Sequence, residues 1–445
     1  MIPIKGELYT IVRSWHPSLR TIMVRHHGEN VNGAIDARRV LERIDALASC
    51  SAADGALTRV FLSPQHRAAN TLVAGWMRDA GLEPRVDAIG NAVGRYEGGR
   101  PGLPCLMLGS HLDTVRNAGK YDGMLGVVCA IECVNALRHS GVRLPFALEV
   151  IGFADEEGVR FQSTLLGSRA VAGTFDTGLL TAVDAEGVSM SAALRAFGLD
   201  PARIHEAARR RDEVLAYVEL HIEQGPILER EGLPVGIVTA INGAARFAIE
   251  IVGEAGHAGT VPMSGRRDAL TAAAEAILAV ERICAGEPDL VGTVGRISAL
   301  PGALNVIPGA AHFSIDVRSP DDAKRGVAER AIENAIEGIC ARRALQLRMT
   351  RLHASRATPC ADWLMTQLAE AISARGLRVR KLASGAGHDA TAMRDLTDVA
   401  MLFIPCAGGI SHNPREAANA GDIAAGCEVL LQFIRDFRPH PASSP

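Results

Sequence analysis

The sequence predicts an α/β protein: a mostly parallel sheet with a polar site at its strand ends, interrupted by a smaller α+β domain. Three observations predict it. Four apolar runs, 103–108, 146–154, 216–222 and 399–405, read as buried strands, and each leads into His, Asp or Glu. Between the first two runs, Leu125, Val128, Ile131 and Val134 recur at helical spacing; strand, helix, strand in so short a span is a βαβ unit with parallel strands. After about residue 236 the pattern changes to the alternating strand 247–252, a strand-like stretch 291–299 and the alternating strand 312–317, with helical stretches at 267–284 and 321–341.

The remaining elements follow in order. Residues 1–32 carry no periodic pattern and read as an irregular N-terminal arm. Helices are expected at 35–47 (Ile35, Val40, Leu41, Ile44, Leu47) and 65–80 (Ala69, Leu72, Val73, Trp76, Met77). Residues 85–96 alternate weakly and end in a glycine-rich turn, which predicts a strand pair. A short helix at 191–197 is stopped by Gly198, and 201–215 reads as a charged helix capped by Asp200 with Pro201 in its first turn. Antiparallel strands with two helices predict a ferredoxin-like domain at 239–350, inserted between two parts of the first domain, 33–238 and 351–438. The second part opens on a helix (Leu364, Leu368, Ala371, Ile372), closes on one at 420–437, and is followed by a tail at 439–445.

Composition narrows the function. Of 445 residues, 48% are hydrophobic and 22% charged, enough for a sizeable core. The formal net charge of -3, from 47 basic and 50 acidic residues, argues against nucleic acid or a polybasic membrane contact. Nine cysteines are scattered without a C-x-x-C pair, as in a cytoplasmic protein with reduced thiols; Cys129 and Cys133 share a helix face and read as core. No run of ~18 apolar residues and no signal-peptide core is present.

The polar residues at the strand ends carry the chemistry. GSHLDTVRNAGKYDG, from Gly109, offers His111, Asp113 and Asp122 as ligands for a divalent metal, or else is a strand-to-helix loop capped by Asp122. Glu156 and Glu157 follow the second run, His221 lies near the end of the third and His412 follows the fourth. Neutral imidazoles with several carboxylates suit zinc, manganese or cobalt. A carboxylate bridging two ions ~3.5 Å apart makes a hydrolytic site. Adjacent glutamates beyond a strand can point apart, so one can bind metal while the other faces water. His257 sits in a glycine frame, GEAGHAGT, which favours an exposed functional role over a packed one. Asp316 and Arg318 alternate with Ile315 and Val317 and so face away from the apolar side of their strand.

Taken together, GSHLDT at 109, YDG at 121, EEGVRF at 156, GSR at 167, HIEQGPILE at 221, GEAGHAGTVPM at 253, RRDA at 266, NVIPG at 305, DVRSPD at 316, SGAGHDA at 384 and SHNPRE at 411 form a specific set. Over about residues 35–436 the chain resembles the dinuclear metal-dependent peptidases and amidohydrolases related to aminoacylase and carboxypeptidase-type exopeptidases. Within them it is similar to the branch of N-carbamoyl-L-amino-acid hydrolases, ureidoglycolate hydrolases and allantoate amidohydrolases. The resemblance implies a zinc-exopeptidase-like catalytic domain, an inserted lid and dimerisation domain, a homodimer, and two zinc or manganese ions per subunit. It implies that His111 and His221 hold one ion, Glu157 and His412 the other, and that Asp122 bridges them. Glu156 is then the general acid/base, and Asp113 fixes the tautomer of His111. Gln224, Arg246, Asn305, Arg318 and His388 would contact substrate, and His257 of the partner subunit would complete the oxyanion site. The implied substrate is a small linear ureido acid, allantoate first, with N-carbamoyl-L-amino acids or ureidoglycolate as alternatives. A peptidase and a non-catalytic binding protein are the rival classes.

Overall fold

The computed structural model describes residues 34–440, so the expected arm at 1–32 and the end of the tail lie outside the described residues. The chain first lays down β1 (Glu83–Val86), β2 (Ala92–Tyr96), β3 (Cys105–His111), β4 (Ala147–Phe153), β5 (Val214–Ile222) and β6 (Gly236–Ile241). It then builds β7 (Gly243–Val252), β8 (Gly256–His257), β9 (Val291–Thr293), β10 (Ile297–Leu300), β11 (Val306–Ile307), β12 (Ala310–Ser319) and β13 (Gln346–Ser355). It returns through β14 (Thr358–Pro359), β15 (Lys381–Ser384) and β16 (Val399–Ile404).

The first sheet has the order β1-β2-β4-β3-β5-β16-β6-β14, with β15 on β6. Its four central strands, β4, β3, β5 and β16, are parallel and buried along their whole length, as near-continuous apolar runs require. Antiparallel β2 and β6 flank them. The helices Met124–His139, Asp362–Ala374 and Ala420–Asp436 supply the packed core around these strands. Because the central strands are parallel, their carboxyl ends meet at one edge. That edge gathers His111, the turn at 155–157, His221 and the loop after Ile404.

The second sheet has the order β10-β12-β7-β13, with β9 also on β12, and every adjacent pair is antiparallel. With the helices Ala269–Ala285 and Asp322–Arg342 this is the βαββαβ order of a ferredoxin-like domain. Phe247, Ile249, Ile251, Phe313, Ile315 and Val317 pack on one face with the helices' Ala272, Ala276, Ile332 and Ile336. The alternate residues, including Arg246, Asp316 and Arg318, therefore face the other way. β8 and β11 form a separate two-stranded ribbon.

Two details differ from the sequence reading. The chain crosses between sheets at Asn242 and at 356–357, a few residues beyond 239 and 350. Ladder pairing is what carries the edges outward: β6 still pairs Ile241 with Thr358, and β13 runs on to pair Ser355 with Ala244. The charged helix expected at 201–215 is instead two 3₁₀ turns, Pro201–Ala207 and Arg211–Glu213, before β5. Asp200 does cap the first turn, accepting the Ala202 amide. However, the buried residues there, Ile204 and Ala207, are three apart, a spacing that a 3₁₀ turn aligns. Arg209 then leaves to pair with Glu149 of β4 at 2.9 Å. All nine cysteines are unpaired, and no described helix is long and apolar enough to cross a membrane.

Candidate active site

The site begins where β3 ends. His111 is the last residue of β3, and the loop after it is fixed from below by Arg59, a fully buried guanidinium. Arg59 Nε donates to the Leu112 carbonyl at 2.6 Å, and its Nη1 donates to the carbonyls of Leu47 at 2.7 Å and Cys50 at 3.1 Å. Burial brings its pKa down to about 10, so it stays charged at neutral pH. Asp122 closes the same loop. The next residue, Gly123, adopts φ 71° as it starts the helix Met124–His139, and a Cβ there would lie 2.5 Å from the His111 ring. Only glycine meets both demands.

Asp122 is the centre of the cluster. One of its oxygens, Oδ1, faces His111 Nε2 at 3.4 Å and His221 Nε2 at 3.1 Å. The other, Oδ2, faces His412 Nε2 at 3.0 Å, and His412 Nε2 in turn lies 3.5 Å from Glu157 Oε1. The Nδ1 groups of His111 and His221 point at backbone carbonyls, of Asp113 at 3.0 Å and Ile222 at 2.8 Å. Those bonds place the proton on Nδ1 and leave the Nε2 lone pairs aimed at a carboxylate. Lone pairs facing one another call for a cation between them. The N···O separations are near the ~3.3 Å edge of a tetrahedron with ~2.0–2.1 Å bonds to zinc. The donors therefore fit divalent cations on both sides of Asp122.

The electrostatics express the same demand for positive charge. Burial alone would raise the Asp122 pKa, but His111, His221 and His412 overcome it and hold the carboxyl well below its ordinary range. Burial would lower His111 and His221, yet the facing carboxylates raise both. The two sides differ in access. The side chains of His111 and His221 are 3% and 1% exposed, whereas His412 is 51% exposed.

Glu156 and Glu157 lie with His111 in one tight group, their ligand atoms within 4.8 Å of one another. Burial raises both carboxyls, Glu156 well above its ordinary value and Glu157 to about 7. Asp113 builds this turn. Its two carboxylate oxygens accept the amides of Glu156 at 2.9 Å and Glu157 at 3.1 Å. Asp113 also meets His111: its carbonyl lies 3.0 Å from Nδ1 and its carboxylate 3.5 Å from the same nitrogen, so the residue faces the ring as well as building the turn.

Gln224 and His412 both adopt positive φ, 57° and 53°, a strained conformation for non-glycine residues that marks functional sites. Gln224 Nε2 donates to Asp122 Oδ2 and to Ser411 Oγ, both at 3.0 Å, and its buried Oε1 has no partner. His388 is buried, its ring 4.6 Å from that of His221; burial holds its pKa well below the ordinary value, and Nε2 pairs with Ser384 Oγ at 2.7 Å. Residues not singled out from the sequence complete the frame. Glu416 accepts the amides of Tyr121 at 2.8 Å and Asp122 at 3.1 Å and the Ser411 hydroxyl at 2.8 Å. Glu219, fully buried, accepts from Ser110 at 2.7 Å and Tyr217 at 3.1 Å. A charged residue inside the apolar run AYVELHI was the available signal for Glu219; SHNPRE was the signal for Glu416.

The expected site residues of the inserted domain stand apart from this cluster. Arg246 and Arg318 both pair with Asp316, at 2.8 Å and 2.9 Å, and Arg318 Nη1 donates to the Gly385 carbonyl at 2.8 Å. His257 and Asn305 are exposed and adjacent in the β8–β11 ribbon, where Ala258 donates to the Asn305 carbonyl at 2.9 Å. His257 does not join the ligand groups around Asp122.

A parallel-stranded α/β domain with this cluster at its strand ends, and a small domain inserted in it, defines a metal-dependent hydrolase. Residues 107–436 match peptidase family M20/M25/M40, and the chain belongs to that family. It is 41% identical over 385 residues to the N-carbamoyl-L-amino-acid amidohydrolase of Pseudomonas sp. (strain NS671), covering 86% of this chain and 93% of that one. It is 40% identical over 436 residues to the allantoate deiminase of Arabidopsis thaliana, covering 91% and 83%. The crystal structure of a hydantoinase/carbamoylase family amidase from Burkholderia multivorans superposes with TM-score 0.86 at 31% identity, covering 92% and 99%. The protein is an enzyme, a hydrolase of carbon–nitrogen bonds other than peptide bonds.

If Asp113 builds the Glu156–Glu157 turn, Asp113→Ala leaves the fold intact and lowers activity or metal affinity by ~10–100-fold. Turnover and bound metal unchanged from wild type would show that the turn holds itself.

Proposed function

We propose that this enzyme hydrolyses the ureido carbon–nitrogen bond of a small linear ureido acid at a two-ion site. The observation that carries the reading is Asp122, with one oxygen facing His111 and His221 and the other facing His412 beside Glu157. Two divalent ions, zinc or manganese, held by these residues would polarise the ureido carbonyl and ease deprotonation of water. Glu156 takes the proton of the attacking water and returns it to the leaving nitrogen; its raised pKa suits a group that must both accept and donate. The unpartnered Gln224 Oε1 accepts a ureido N–H. Two guanidiniums, Arg246 and Arg318, share one Asp316, so the patch keeps one net positive charge for the substrate carboxylate. His388, neutral beside His221, offers a further hydrogen bond to substrate.

Asn305 and His257, neighbours on the lid, act across a homodimer interface, so that His257 of the partner subunit supplies the oxyanion donor when the lid closes. Nine unpaired thiols fit a cytoplasmic setting. The motif set puts allantoate first. N-carbamoyl-L-amino acids are a second reading, favoured by apolar side chains beside Arg318, and relatives of both names support the class. A panel of ureido acids and peptides, given to apoenzyme reloaded with zinc or manganese and scored for ammonia release and for newly freed amino groups, tests the reading. Turnover of peptides alone would contradict it.

Glu156→Gln is expected to keep its metals and fold while kcat falls by ~10²–10⁴-fold. Metal analysis beside turnover decides: metal lost from Glu156→Gln and kept by Glu157→Gln reverses the two roles. Arg318→Lys is expected to raise KM, because an ammonium cannot reproduce a bidentate contact; an unchanged KM removes Arg318 from the site. Glu156→Gln and His257→Ala, each inactive alone, are expected to recover activity when mixed, since one site of the mixed dimer is intact. Mixed dimers that form by mass and stay inactive would place His257 outside the reaction.

A further inference from the structure

The open face of the lid sheet is a grid whose rows can be read from strand register. One row runs His353, Arg246, Asp316, Thr293; the next has Ala244, Arg318 and Val291. Val291 is thus the direct cross-strand neighbour of Arg318 on the same face. A β-bulge interrupts β13 between Arg351 and His353. Arg351 stays on the helix side, its guanidinium over the Phe247 ring at 4.8 Å and paired with Glu329. The bulge turns the consecutive residues Leu352 and His353 to the open face, a device that re-aims side chains beside sites.

The result is unusual for a surface. Leu352 is 65% exposed and Val291 54% exposed, on either side of the Arg246–Asp316–Arg318 cluster. Both line one cavity of about 560 Å³ together with those three residues and Gly385. The cavity adjoins the chemistry: Arg318 holds the Gly385 carbonyl, and two residues on, a Cβ at Gly387 would lie 3.3 Å from Glu156 Oε1. A ureido acid anchored there by its carboxylate would present its α-carbon substituent to apolar walls.

We infer that Val291 and Leu352 are specificity residues that select an α-ureido acid with an aliphatic substituent. This rests on the amidohydrolase reading and deepens it in favour of its second substrate class, the N-carbamoyl-L-amino acids, over allantoate. Leu352 and Val291 offer such a substituent apolar contact beside the carboxylate anchor.

The test compares kcat/KM for N-carbamoyl-L-leucine, N-carbamoylglycine and allantoate in wild type, Leu352→Ser and Val291→Ser. The leucine-to-glycine ratio is expected to be ~10 or more in wild type and to fall several-fold in each variant, since one or two methylenes in a pocket are worth that much. Both side chains are exposed, so the variants should fold; Leu352→Ala replaces the serine variant if it does not. A ratio unmoved in both variants overturns the inference. So does a wild type that hydrolyses allantoate but not N-carbamoyl-L-leucine, an outcome that leaves the amidohydrolase reading standing. Hydrolysis of none of the three sinks both.

Discussion

Asp122 is the constraint on which the site depends. A buried carboxylate is costly unless paired, and this one is paired with three imidazoles at once, two on one oxygen and one on the other. The chain commits several other groups to keeping it there. Glu416 holds the Asp122 amide, Gln224 and Ser411 reach Oδ2, and Gly123 clears space for the His111 ring. Nδ1 of His111 and His221 is turned to carbonyls, Nε2 of His111 faces Asp122, and Nε2 of His221 faces Asp122 while accepting the Gly123 amide at 3.2 Å. The arrangement makes sense around cations and is poorly satisfied without them.

The parallel sheet explains how residues 300 apart in sequence come to share this point. Four strands running the same way end at one edge, and each contributes its first polar residues after a buried run. The inserted domain is built on the opposite logic. Its alternating strands keep one face apolar against two helices and leave the other to Arg246, Asp316 and Arg318. Strands therefore hold both the Asp122 cluster and the Arg246–Asp316–Arg318 patch, while the loop at 385–389 joins them, touching Arg318 at one end and Glu156 near the other.

Much of this was legible in the sequence because the signal was of two strong kinds. Continuous apolar runs mark strands buried on both faces, and His, Asp and Glu directly after them mark their ends; that is how His111, Asp122, Glu156, Glu157, His221 and His412 came to be grouped, while their separate roles came from the resemblance. What escaped was support rather than ligands. Glu219 and Glu416 act through side-chain contacts to groups 109 and 294–295 residues away, so a charge inside an apolar run and the SHNPRE stretch could flag the two residues but not their partners. The stretch 201–215 failed because cap and composition favoured a helix, while burial of Ile204 and Ala207 and the pull of Glu149 on Arg209 decided otherwise. The bulge at Leu352 did leave a mark: in QLRMTRLHAS the apolar positions change phase after Thr350 and Arg351, from Leu347 and Met349 to Leu352 and Ala354.

Anomalous diffraction from crystals of the zinc-loaded enzyme tests the central claim most directly. Two peaks are expected on either side of the Asp122 carboxylate, one beside His111 and His221 and one beside Glu157 and His412. Zinc absent from Asp122, or seated instead among Glu219, His221 and His388, which also bring ligand atoms within 4.8 Å of one another, would contradict it.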